Sequence, residues 1–206
     1  MKTDKENYQK EMDSYLGGIT PGEKRLLLHA CCAPCSSYVL EYLSEYFRIT
    51  VLFYDPNIFP EAEYLKRIEE EKRFIREKSF RFPVDMAQTR YDPERFFEMA
   101  KGLEDCPERG ERCIRCYRLR MEEAASYAKE NGYDLFATTL TLSPLKDADA
   151  LNGIGRELEE QYGVKYLASD FKKKDGYKRS LELSREYNLY RQNYCGCIFS
   201  QKEERI

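Results

Sequence analysis

Apolar positions along this chain fall into short unbroken runs separated by longer stretches with a three-to-four-residue repeat. Leu26-Leu27-Leu28 is the first run. It lies between Thr20-Pro21-Gly22 and Pro34, and its brevity and punctuation predict a buried strand over Arg25 to Leu28. Val39, Leu40, Leu43 and Phe47 follow at helical spacing. Ile49 to Phe53, β-branched and apolar, predicts a second strand that ends in a two-proline loop, Tyr54 to Pro60. Glu61 to Lys78 reads as a charged helix with Leu65, Ile68 and Ile75 facing inward, and Phe80 to Val84 as a short third strand. Asp92-Pro93 opens a helix that Gly102 stops. Another helix begins at Arg112-Cys113, with Tyr117, Met121, Ala124, Ala125 and Ala128 on its inner face, and ends at Asn131-Gly132. Leu135 to Thr139 is a fourth strand. Ser143 and Pro144 cap a helix running toward Tyr162-Gly163, with Gly153 and Gly155 weakening its middle, and Val164 to Ala168 is a fifth strand. Upstream, Tyr8, Met12, Tyr15 and Leu16 predict an amino-terminal helix within Thr3 to Leu16, closed by Gly17-Gly18.

Strands alternating with helices predict an α/β fold with a mostly parallel sheet covered on both faces, and right-handed crossovers then bring the strand-end loops to one rim. That rim collects the loop after Leu28, the Asp55-Pro56-Asn57 loop and the turn after Thr139. We expect a single domain over 1–206, with 1–20 as an amino-terminal helical extension and 170–206 as a carboxyl-terminal segment. In that segment Phe171 to Arg179 is basic with aromatics interleaved, and neither it nor Tyr187 to Tyr194 reads as buried core. The 206 residues are 42% hydrophobic and 34% charged with net charge −3. No global basic field marks a nucleic-acid binder, so any such site is a local patch. A polar Met1 to Lys10 and the lack of any long apolar run lead us to expect a cytoplasmic protein with no signal peptide and no membrane partner.

Eight cysteines in such a chain point to metal or redox chemistry, because a reducing compartment does not sustain structural disulfides. Seven fall in three clusters: Cys31-Cys32-x-x-Cys35, Cys113-x-x-Cys116 and Cys195-Gly196-Cys197. Cys31, Cys32, Cys113 and Cys116 together supply the four thiolates of a tetrahedral zinc or of a 4Fe-4S cluster. Neighbouring sulfurs diverge and reach two irons of a bulky cluster more readily than one small ion, which favours iron–sulfur. Arg112, Arg115, Arg118 and Arg120 crowd the second pair and offset its charge, with a solvated basic face as the alternative for Arg118 and Arg120. Cys195 and Cys197 can close a strained, easily reduced disulfide, or bind a second metal with Cys35 as third ligand. His29 reads as a core hydrogen-bonding residue. Cys106 stands outside the three clusters and reads as a small buried hydrophobe. No Gly-rich phosphate loop follows the first strand, so nucleotide use is not indicated.

His29-Ala30-Cys31-Cys32-Ala33-Pro34-Cys35-Ser36, Pro56-Asn57-Ile58 with Glu63-Tyr64, Arg112 to Tyr117, Thr138-Thr139-Leu140 with Ser143-Pro144, and Tyr190 to Cys197 occur in order. Together they resemble the cobalamin-independent epoxyqueuosine reductases. The resemblance implies a fold like that of the adenine-nucleotide alpha-hydrolase (HUP-like) group, a 4Fe-4S cluster, and reduction of the epoxide of epoxyqueuosine in tRNA to queuosine, the last step of that modification. It assigns cluster binding to Cys31, Cys32, Cys113 and Cys116. To Cys195 and Cys197 it assigns a redox role or a second iron. The implied partners are tRNA carrying the modified base in its anticodon loop and an unidentified electron donor. Phe171, Lys172, Lys173, Lys174, Tyr177, Lys178 and Arg179 are the expected tRNA surface. Two rival readings are a cluster-dependent tRNA thiolase, which needs the missing nucleotide loop, and a non-catalytic zinc module that binds RNA.

Overall fold

The structure, a computed structural model, describes residues 7–87 and 90–200. Five strands, β1 (Arg25–His29), β2 (Arg48–Leu52), β3 (Val84–Ala87), β4 (Leu135–Thr138) and β5 (Lys165–Tyr166), form one all-parallel sheet in the order β3-β2-β1-β4-β5. The strand order reverses between β1 and β4, which makes the crevice beyond their carboxyl ends the natural ligand position in such a sheet. β1 is central and covered on both sides, which explains its unbroken apolar run. Leu26 and Leu28 pack on one face with Val39, Leu40, Leu43 and Phe47, while Leu27 packs on the other with Phe136, Met121 and Ala124. The helices are α1 (Tyr8–Gly17), α2 (Ala33–Leu43), α3 (Glu61–Glu77), α4 (Pro93–Ala100), α5 (Glu111–Glu130), α6 (Ala148–Tyr162) and α7 (Gly176–Glu186). Helix α2 packs beside α7 and α5 beside α6. No described helix is long and apolar enough to cross a membrane.

Several elements differ from the sequence expectation. Helix α3 buries Tyr64, Arg67, Glu71 and Phe74, while Leu65 is 51% exposed and Ile68 and Ile75 are half-buried. The third strand begins at Val84 and not Phe80: the Pro83 carbonyl accepts from Ile49 N at 3.0 Å, and pairing with β2 runs from there. The fifth strand shrinks to Lys165–Tyr166, after which one more bond, Leu167 N to Phe136 O at 2.9 Å, ties the chain to β4. A 3-10 turn, Thr139–Leu142, follows β4, and α6 starts at Asp147, whose carboxylate accepts from the amides of Asp149 and Ala150. Ser143 closes its own turn instead, accepting from Leu145 N at 3.3 Å. The basic stretch before Arg179 leads into α7, and Phe171, Leu183 and Leu189 are core residues. Of the predicted amino-terminal helix, Thr3 to Glu6 lie outside the described residues; the remainder is α1, capped by the Asn7 side chain.

Gly155 marks the crossing of α6 over the Tyr166 ring: a Cβ there would lie 2.3 Å from the ring carbons. Gly155→Ala forces two packed elements apart, so a loss of about 1–3 kcal/mol is expected in urea unfolding.

Candidate active site

β1 ends at His29, Ala30 continues the ladder by donating to Leu52 O at 3.0 Å, and Cys32 becomes the N-cap of α2. No side chain caps this helix start. The amides of Cys35 and Ser36 turn back onto the Cys32 carbonyl at 3.1 Å each. The thiols of Cys31, Cys32 and Cys35 therefore stand at the positive end of α2, where anionic sulfur is favoured. Their sulfurs all lie within 4.8 Å of one another. Cys31 and Cys32 are buried and Cys35 is half-buried. Hydrogen bonds from Cys32 and Cys35 hold the Cys31 thiol well below its ordinary pKa, with the Arg120 charge in support, whereas the bonds it gives push Cys32 far up. Cys35 rises to about 12, chiefly through its bond to Cys31.

Helix α5 delivers the second pair. Gly110 precedes it, Cys113 N bonds to Gly110 O at 3.0 Å, and the next turn places Cys116 on the buried face. Cys113 packs against the apolar group that contains Cys31 and Cys32, while Cys116 packs with Cys195 and Cys197. The x-x spacing thus links the first and third clusters. Burial raises the Cys116 thiol to about 11 and pushes Cys113 up as well.

The third cluster is fastened from two sides. Phe59 N donates to Gly196 O at 3.0 Å, and Arg67 Nη1 donates to Cys195 O at 3.2 Å. Gly196 has φ +100°, and a Cβ would come 2.8 Å from Ile58, so both the fold of the backbone and its close approach demand glycine. The bond from Cys197 holds the Cys195 thiol well below its usual pKa against the effect of burial, with Lys146 adding to it; Cys197 is correspondingly raised. Arg67 also donates from Nε to Glu63 at 2.7 Å, Tyr190 OH donates to the same carboxylate at 3.0 Å, and Tyr190 N donates to Glu70 at 2.6 Å. The motif around Glu63 and the one from Tyr190 to Cys197 are therefore two halves of one joint.

A cavity of about 380 Å³ opens over the switch point, lined by Cys31, Cys32, Cys35 and Cys195 and by the cations Arg67, Arg120 and Lys146. Arg120 is buried and ion-paired with Asp55, which sits beside His29. Among the described residues Arg67 Nη2 and Arg120 Nε have no hydrogen-bond partner. Glu71 is fully buried with both carboxyl oxygens unpartnered, and burial, with Cys31 and Asp55 adding, raises it to about 8. His29 serves the core as expected: Nε2 is 3.2 Å from Tyr54 O and Nδ1 is 2.9 Å from Thr138 Oγ1, so Nε2–H donates to the carbonyl and the threonine hydroxyl donates to Nδ1.

Two sequence expectations are corrected, those for the arginines and for the basic surface. Of the four arginines near Cys113, only Arg120 serves the cavity. Arg112 donates to the carbonyls of Leu103, Glu104 and Cys106, and Arg115 and Arg118 pair with Glu111 and Glu157. Cys35 stands with Cys31 and Cys32 in one triangle. The basic surface shrinks: Phe171 is buried, Lys172 bonds Thr141 O and Asp170, Lys174 pairs with Asp13 and Arg179 with Glu41, leaving Tyr177 at the cavity and Lys173 and Lys178 exposed. Cys106 is half-buried. Arg67, Glu71 and Lys146 are missed by sequence reasoning. A buried charge within a charged helix face carries no periodic mark, and a lone lysine carries no spacing.

The family model described as "Epoxyqueuosine reductase QueH" matches residues 26–203. Proteins named epoxyqueuosine reductase QueH are similar over most of the chain. The one from Staphylococcus epidermidis is 42% identical over 212 residues, covering 100% of this chain and 89% of its own. That of Streptococcus pyogenes is 42% identical over 183 residues, covering 88% and 72%. That of Thermotoga maritima is 36% identical over 186 residues, covering 87% and 92%.

Glu71 sets a pH dependence with a definite sign. Its folded pKa of about 8 exceeds the unfolded 4.5, so no penalty exists below the lower value. As pH rises between the two, the unfolded chain ionises first and stability falls, by roughly 5 kcal/mol once the folded site also loses its proton. Glu71→Gln is expected to flatten that slope and to be the more stable protein at pH 8, as read from urea midpoints between pH 5 and 9.

Proposed function

The chain belongs to the epoxyqueuosine reductase QueH family, and from that premise we propose that it is an iron–sulfur oxidoreductase reducing the epoxide of epoxyqueuosine in tRNA to give queuosine. The observation that carries the reading is the convergence of the Cys31, Cys32 and Cys35 sulfurs within 4.8 Å at a cavity that Cys195 also lines. The donor set suits a thiolate-bound cluster. The sulfurs are shielded from water, and Arg67 and Arg120, each paired with one carboxylate, keep an N–H group without a partner among the described residues. Cys31, Cys32, Cys113 and Cys116 would hold the 4Fe-4S cluster, which supplies one-electron transfer when bound.

The remaining chemistry belongs to the chain itself. Removing the epoxide oxygen as water takes two electrons and two protons. Cys195 and Cys197, a hydrogen-bonded thiolate–thiol pair, release both electrons and one proton on closing to a disulfide, the second proton is drawn from solvent, and an external electron donor restores the pair. The cavity volume suits a single splayed base, and Tyr177 and Tyr194 at its wall offer faces for stacking. A second reading, in which Cys195 and Cys197 bind a separate iron, draws support from Cys195 sharing the cavity with the first triangle.

Protein purified without oxygen is expected to carry about four iron and four acid-labile sulfide per chain; iron in excess of sulfide favours the second reading, and zinc without sulfide overturns the proposal. Cys195→Ser and Cys197→Ser are each expected to abolish turnover of epoxyqueuosine tRNA while the cluster absorption survives. Retained turnover removes the dithiol from the reaction.

A further inference from the structure

Oxygen removal needs an acid at the epoxide, and the cations on the cavity wall divide into two kinds. Arg67, Arg120 and Arg191 keep their protons at any working pH and can only donate hydrogen bonds. Lys146 is the lysine on that wall and carries a proton it can give away. Among the described residues no carboxylate or carbonyl engages its ammonium, and its close aromatic neighbour is Tyr117, with the ring centre 5.5 Å from Nζ. It shares the cavity wall with Cys31, Cys32, Cys35 and Cys195, and although burial disfavours its charge, Cys195 foremost raises its pKa, so the ammonium is fully protonated when substrate arrives.

The backbone that carries Lys146 is built rigidly. Lys146 N bonds Ser143 O at 3.2 Å, Arg109 clamps the carbonyls of Pro144 and Leu145 at 2.9 Å each, and Asp147 immediately afterwards caps α6. These ties fix the main chain on both sides and leave the side chain unengaged. Lys146 also lines a second, polar cavity of about 430 Å³ with Lys172 and Asp170, so the residue stands between the reaction cavity and a wet one.

We infer that Lys146 is the acid of epoxide opening: its Nζ–H donates a hydrogen bond to the epoxide oxygen of the bound base and passes the proton over as the C–O bond breaks. This rests on the reductase reading above. The two electrons and one proton come from the Cys195/Cys197 pair as it closes, and a second proton comes from solvent; Lys146 gives the first proton to the oxygen and is recharged by one of the two, and the other completes the water that leaves. Arg67, on the same wall, holds the developing oxyanion by hydrogen bond without giving up a proton.

Binding without reductant tests the contact independently of turnover. Wild-type protein is expected to bind tRNA carrying epoxyqueuosine about tenfold or more tightly than tRNA carrying queuosine, which lacks the oxygen. Lys146→Met is expected to erase that preference while keeping the affinity for queuosine tRNA and the iron and sulfide content. With reductant, Lys146→Met should lose ~10²- to 10⁴-fold in kcat, and Lys146→Ala should regain part of its turnover when ethylammonium is added. Wild type without a preference, or a preference that survives in Lys146→Met, overturns the assignment. Failure of the wild type to convert epoxyqueuosine tRNA at all counts instead against the reductase reading, and leaves the binding comparison to decide the role of Lys146.

Discussion

Gathering thiolates where water does not reach sets like charges against one another in a medium that screens them poorly. The rest of this structure answers that constraint. The helix start at Ala33 sets the positive end of α2 beside the first triangle, Arg120 comes to the cavity from α5, Arg67 from α3, and Lys146 from the loop before α6. Each cation comes from a different element, so the elements cannot be rearranged without leaving sulfur or guanidinium uncompensated. The unpartnered N–H groups of Arg67 and Arg120 follow from the same logic, since a cation fully consumed by carboxylates would have no charge to lend.

The sheet and the thiol groupings were legible because they write themselves in unambiguous marks. A three-leucine strand buried on both faces, a helix with alanines at its packing positions, and three tight cysteine spacings each have one physical reading. Helix α3 was misread for the opposite reason. Its inner face looks at the charged site, so Arg67 and Glu71 occupy positions that a hydrophobic repeat assigns to Leu65 and Ile68. The edge strands β3 and β5 are short, and residues around them are buried by packing without being paired, which sequence cannot separate from strand. Ahead of α7 and in its first turn, basic residues around a single buried Phe171 resembled a solvated loop, yet most of those charges meet carboxylates or carbonyls across the fold.

Two motifs separated by well over a hundred residues gain a common meaning from one side chain. Arg67 ties Glu63 on α3 to the Cys195 carbonyl, and Tyr190 closes the circuit on the same carboxylate. The Cys-Gly-Cys segment owes its position to one charge-assisted bond from Arg67, one backbone bond and a close approach at Gly196, beside its packing on Phe96, Ala100 and Cys116. That choice suits a segment whose sulfurs must keep a set relation to the cavity, because hydrogen bonds fix direction where apolar contact does not.

Order of synthesis gives the Gly196 docking another significance. Every strand and helix that carries the other clustered thiols emerges from the ribosome before residues 195–197 do, and the loop at Ile58-Phe59 that receives them is by then already in place. Cys195 is thus the last-made of the cysteines on the cavity wall, and that wall is complete only when the end of the chain has docked.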